Sequence, residues 1–148
     1  MPTKAQFSPE KLSLIDFKLV KGQIETPEDF EIEKSLSFKI DNTLQIGFNL
    51  EEKLIRVDYS VQITTQSKKA NKSEATANFQ LVYFFQNSNL DELAKPDENG
   101  VIELDASLGN ALASIAYSTS RGILLTRLQG TAFQSFILPV INPNKLLH

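Results

Sequence analysis

The chain has 148 residues, no cysteine, no tryptophan and one histidine, His148. A thiol nucleophile, a histidine triad, a Cys/His zinc site and a disulfide framework are therefore excluded. Carboxylate chemistry, lysine chemistry or no chemistry remain. With 15 basic and 18 acidic residues the net charge is −3, which leaves no electrostatic footprint for nucleic acid.

The hydrophobic share of 41% is that of a globular domain able to bury its own core, and a single domain is expected over residues 7–148. No run approaches the ~18 apolar residues of a membrane span, and the first residues lack the apolar centre of a signal peptide. A cytoplasmic location without membrane insertion is expected.

Lys11 to Glu25 alternates as a strand. It slips by one at Leu14-Ile15, continues with Phe17 and Leu19, and reaches Ile24 after Gly22. A one-residue slip in a two-residue period predicts a bulge. Residues 26–34 form an acidic connection carrying the isolated apolar residues Phe30 and Ile32. From Leu36 to Leu50 the even positions Leu36, Phe38, Ile40, Leu44, Ile46, Phe48 and Leu50 are apolar, with Gly47 read as a bulge or bend. Ile55, Val57, Tyr59, Val61 and Ile63 follow on odd positions, and the short link Asn49–Lys53 predicts an antiparallel hairpin. Lys68, Lys69 and Lys72 then read as a solvated hairpin tip.

Ala75 to Gln86 predicts another strand, with Ala77, Phe79, Leu81, Tyr83 and Phe85 on one face and Val82 and Phe84 on the other. A strand apolar on both faces calls for a second layer or a partner chain. Asn87–Gly100 is a long connection containing the turn signal Asp97-Glu-Asn-Gly100. Beyond it Leu104, Leu108, Leu112, Ile115, Thr119, Ile123 and Leu124 recur at helical spacing. A helix of about 20 residues is predicted, capped by Asp105 or Ser107 and ended by Gly130. Residues 132–148 are apolar, broken by Pro139 and Pro143, and predict an extended, packed tail. The fold class is α+β: a four-stranded antiparallel sheet covered on one face by a long helix and an extended apolar tail.

The neighbouring carboxylates Glu51-Glu52 and Asp91-Glu92 fall on predicted loops, and Asp16, Asp41 and Asp58 on polar strand faces. All read as solvated. No phosphate or calcium loop is present, so no cofactor and no metal is expected.

This element order resembles the SecB export chaperones. The tail carries the most specific match. The family follows its long helix with a segment close to Phe-Pro-x-Leu-x-Leu-x-Pro-Val-Asn-Phe-x-x-Leu-Phe. Here Phe133-Gln-Ser-Phe-Ile-Leu-Pro-Val-Ile-Asn-Pro-Asn-Lys-Leu-Leu147 keeps the spacing, with Asn142 and Leu146 matching by position and Leu138 in the place of a family leucine. Arg121 lines up with the arginine of the family's Pro-Tyr-Ala-Arg-Glu segment, although Ser118-Thr119-Ser120 and Gly122 replace its neighbours. Gly22-Gln-Ile-Glu25-Thr-Pro27 is similar to the family's end of strand one.

The resemblance implies a SecB-like fold and a non-enzymatic holdase. Such a holdase binds unfolded or nascent polypeptide in apolar grooves without ATP and assembles as a homotetramer, a dimer of dimers. The client-binding candidates are Ile24, Phe30, Ile32, Phe84, Phe133, Phe136, Ile137 and Val140. Phe84 and Val82 are equally candidates for an inter-subunit surface. In the plainer reading the tail residues pack on the sheet and Phe30 and Ile32 latch their loop. Glu25 fits one acidic position that docks the SecA motor in the family. The nearby aspartate position holds Lys21, and the strand-four glutamate region reads Ala77-Asn-Phe-Gln80. The family continues into a second C-terminal helix beyond the position of Leu147. Two alternatives stand beside the holdase: an interaction module dedicated to one partner, such as an antitoxin, and a carboxylate-based ligand-binding protein.

Overall fold

A computed structural model describes residues 5–32, 36–68 and 73–147. Lys69 and Lys72 of the expected lysine tip, and His148, lie outside the described residues.

Four long strands form one antiparallel sheet: β1 (Leu12–Glu25), β2 (Ser37–Asn49), β3 (Leu54–Gln66) and β4 (Thr76–Asn87). Their order is β1-β4-β3-β2, so β1 and β2 are the edges and the acidic connection crosses from one edge to the other. β2 and β3 pair without interruption from Ser37–Gln66 to Asn49–Leu54. Gly47 sits opposite Arg56 in regular register, so the bulge expected there is absent. The slip expected in β1 is present, as a register shift between Leu14 and Asp16, and a second shift falls between Leu19 and Lys21. Two shifts explain how Leu14, Phe17, Leu19, Gly22 and Ile24 all reach the inner face, opposite Phe85, Tyr83, Leu81, Phe79 and Ala77.

The inner face is the core. Ile55, Val57, Tyr59, Val61 and Ile63 of β3 and Ala77, Phe79, Leu81, Tyr83 and Phe85 of β4 are buried there. The connection after β4 is more ordered than its composition suggested. It contains a one-turn helix, α1 (Leu90–Leu93), and a hairpin of β5 (Ala94–Pro96) and β6 (Ile102–Leu104). Asp97 makes the turn: its carboxylate accepts from the amides of Asn99 and Val101, and Gly100 adopts φ 78°. That positive φ suits a residue without Cβ.

Helix α2 (Ala106–Arg127) follows, with Asp105 as its N-cap accepting from the Leu108 amide at 3.0 Å. It ends at Arg127, and Gly130 (φ 77°) lies in the turn beyond. Its buried residues are Leu108, Gly109, Leu112, Ala113, Ala116, Tyr117, Ser120 and Leu124. The expected stripe through Ile115 and Thr119 is therefore corrected: both are exposed. Small alanines face the sheet and admit the large Tyr59, Tyr83 and Tyr117. Tyr59 and Tyr117 meet edge-to-face at 5.8 Å, and the Tyr83 hydroxyl bonds that of Ser120 at 2.7 Å.

The tail covers the other side of the inner face. Phe133 and Phe136 pack on Phe38 of β2 at 6.0 and 5.2 Å between ring centroids. Beyond a 3-10 turn (Pro143–Leu146), Leu147 pairs with Leu44 as a parallel bridge. The sheet, the long helix and the tail together form an α+β, SecB-like arrangement.

Candidate binding groove

Helix α2 lies on β3 and the tail on β2, so the inner face of the edge strand β1 is only partly covered. Leu14 is 47% exposed and Phe17 36% exposed, although both belong to the core side of the sheet. Phe17 meets Tyr83 in a tilted contact at 5.2 Å between ring centroids. The result is a groove with β1 as one wall, α2 as the other and β4 as the floor.

Two clefts mark its ends. One, of about 260 Å³, is lined by Phe7, Pro9, Leu12, Leu14, Phe85, Ala111 and Ile115. The other, of about 210 Å³, is lined by Leu19, Gly22, Ile24, Phe79 and Arg127. The first contains no charged residue. Arg127 is the one charge in the second, and it makes no ion pair or hydrogen bond among the described residues.

The sequence candidates divide by position. Ile24 lines the second cleft. Phe30 is half-buried against the core, and Ile32 is 68% exposed on the same connection. Ile137 and Val140 point outward from the tail, 60% and 91% exposed. Phe133 and Phe136 are buried core residues, which corrects their placement on a groove wall. The tail uses them to seal β2, leaving Ile137 and Val140 outside.

Phe84 lies on the outer sheet face, remote from the groove. Its ring sits between the Lys18 ammonium at 5.6 Å and the Arg56 guanidinium at 5.9 Å. Arg56 is held in turn by Asp58 at 2.9 Å, and the hydrogen-bonded carboxylate raises the guanidinium pKa further. Val82 is buried on that outer face within the single chain, between its register partners Lys18 and Asp58. The single chain already buries it, so the second layer expected there is not required. Glu25 is exposed at the end of β1 opposite Thr76, and the outer positions nearby are Lys21, Asn78 and Gln80.

A third cleft, of about 450 Å³, lies on the outer face and is polar, lined by residues including Lys21, Asp41, Ser60, Gln62 and Gln80. It holds a single carboxylate. Among the described residues no three His, Asp or Glu side chains gather as a metal site, and no helix is long and apolar enough to cross a membrane.

The groove residues Leu14, Phe17, Leu19 and Ile115 were missed as binding candidates. Their signal was an edge strand richer in apolar residues than one face can use, beside a helix stripe too wide for its packing face.

The architecture that carries this groove is the SecB-like fold. Among solved structures it is similar to the Mycobacterium tuberculosis Rv1957 SecB-like chaperone in complex with a ChAD peptide from the Rv1956 HigA1 antitoxin. The TM-score is 0.66 at 17% identity, over 89% of this chain and 91% of that one. A protein of unknown function from Streptococcus agalactiae aligns with a TM-score of 0.30 at 11% identity, over 87% of this chain and 97% of that one. No family model matches the chain, and no curated protein matches it.

Proposed function

We propose that the chain is a SecB-like holdase that receives non-native polypeptide on the groove between β1 and α2, without ATP and without covalent chemistry. The observation that carries this reading is the exposure of Leu14 and Phe17 on the core side of an open sheet edge. An unfolded segment exposes apolar side chains and unpaired backbone groups together. The groove takes the first, and a free strand edge beside it matches the second. The similarity to a SecB-like chaperone whose structure contains an antitoxin peptide supports a polypeptide as the ligand.

The same similarity favours a second reading, a module dedicated to one antitoxin-like segment. Promiscuity separates them. The holdase slows the aggregation of several unrelated unfolding proteins at stoichiometric concentration; equal aggregation with and without it leaves only the dedicated module.

Assembly as a homotetramer belongs to the proposal. α2 carries only two charged residues, Arg121 and Arg127, and exposes Ala106, Ser107, Asn110, Ile115, Ser118, Thr119, Gly122 and Leu125. Outside Ile115, which lines the groove, so uncharged a face suits helix-on-helix burial between copies. Light scattering checks this: a monomer at micromolar concentration refutes the assembly. The proposal includes no docking on SecA, because the aspartate position near Glu25 holds Lys21 and the strand-four glutamate region reads Ala77-Asn-Phe-Gln80.

A further inference from the structure

The groove's two ends differ in one charge. Leu14 lies opposite Phe85 and Gly22 opposite Phe79, so the clefts are separated by six residues of β4, roughly 20 Å at ~3.3 Å per residue. An extended segment of about seven residues spans that distance. At the far end Gly22 keeps the β1 wall low: a Cβ there would stand 3.4 Å from the Phe79 ring and 3.5 Å from Leu19. Arg127 closes this cleft from the last turn of α2, where its charge also complements the helix C-terminus. The carboxylates of the neighbouring connection, Glu28, Asp29 and Glu31, leave its guanidinium without an ion pair among the described residues, and Glu25 belongs to the outer face.

An unpaired guanidinium beside Leu19, Ile24 and Phe79 selects an acid next to an apolar anchor, because a hydrogen bond between a guanidinium and a carboxylate is stronger than one between neutral groups. We infer that the groove reads polypeptide in one polarity of composition: apolar residues along its length and an Asp or Glu side chain at the Arg127 end. This rests on the groove being the polypeptide site. The clefts are open, so the chain runs on past Arg127, and a side chain rather than a terminal carboxylate is the acid.

The test uses fluorescein-labelled peptides of about seven residues, acetylated and amidated so that termini carry no charge, with a common apolar pattern. Glu, Gln or Lys is placed at one end or the other, and binding to the full chain is read by anisotropy. The Glu peptide is expected to bind roughly five-fold tighter than the Gln peptide at low salt. Arg127→Lys should keep a preference, Arg127→Gln should abolish it, and Arg127→Glu should favour the Lys peptide. Gly22→Val should weaken all three peptides alike. Equal affinity for the Glu and Gln peptides in the unaltered protein overturns the inference and leaves the groove standing. No binding of any peptide, or binding that Gly22→Val leaves unchanged, overturns the groove reading itself.

Discussion

The Tyr117 hydroxyl donates to the Pro139 carbonyl at 2.6 Å, and this one bond ties the middle of α2 to the tail. Arg121, one turn further on, donates from Nε to the Leu138 carbonyl at 3.0 Å and from Nη2 to the same Pro139 carbonyl at 3.2 Å. Its guanidinium lies 5.2 Å from the centre of the Tyr117 ring. The two side chains form a clamp on a segment that has no strand or helix of its own. Proline at 139 has no amide to donate, so its carbonyl is the main-chain group there that a helix side chain can hold.

Removing either donor should therefore loosen the tail. Tyr117→Phe and Arg121→Gln are each expected to cost about 1 kcal/mol in urea unfolding, and the pair less than the sum, because they share an acceptor and a ring contact. Strict additivity in the double-mutant cycle would show that the two bonds act separately.

The three buried tyrosines set an alkaline limit. Burial raises the pKa of Tyr59, Tyr83 and Tyr117 above the ordinary 10.0, most strongly for Tyr59. Each folded-state pKa exceeds its unfolded value, so above about pH 10 the unfolded chain loses protons that the native state retains. The stabilisation is complete below the unfolded pKa and is lost as pH rises through the folded values. Melting temperature should hold steady up to about pH 9.5 and then fall steeply. Tyr59→Phe should flatten the fall, although its Asn42 partner at 2.9 Å then loses an acceptor. An alkaline slope unchanged in that variant would place the titrating group elsewhere.

Much of this arrangement was legible in the sequence, for reasons that particular residues make plain. The two-residue period from Phe38 to Ile63 survives because one sheet face is core and the other is wet, and a slip would invert every side chain. The bulge at Leu14-Ile15 was visible for the same reason. The helix was visible in extent but not in facing. Ala113, Ala116 and Ser120 are small enough to lie against the sheet, and a stripe drawn through the large residues Ile115 and Ile123 misses them. The hairpin β5–β6 was hidden because its strands are three residues each and alternate too briefly. The groove was hidden because it depends on where α2 lies across the sheet. That position is a matter of packing among Tyr59, Tyr117 and the tail, and it leaves no period in the chain.

The tail offers a direct contrast between two neighbours. Phe136→Ala should cost about 3–5 kcal/mol, since it empties a site against Phe38 that the surrounding core cannot refill. Ile137→Ser, one residue on, faces solvent and should stay within about 0.5 kcal/mol of the unaltered protein. Comparable losses at both positions in chemical denaturation would mean that Ile137 is covered in solution.

The groove itself is tested by residues whose removal the fold can tolerate. Leu14 and Ile115 are already 47% and 37% exposed, so serine in their place costs less in the free protein than at a fully buried core position. A bound segment would cover both, and the lost transfer energy would then fall on binding rather than folding. Leu14→Ser with Ile115→Ser should leave the melting temperature within a few degrees and reduce the suppression of client aggregation at least several-fold. Phe84→Ser, on the outer face between Lys18 and Arg56, is the control and should keep the holding activity. If Phe84→Ser removes the activity while the double variant keeps it, the client rides on the outer sheet face. The exposed core side of β1 would then serve contacts between copies of the chain.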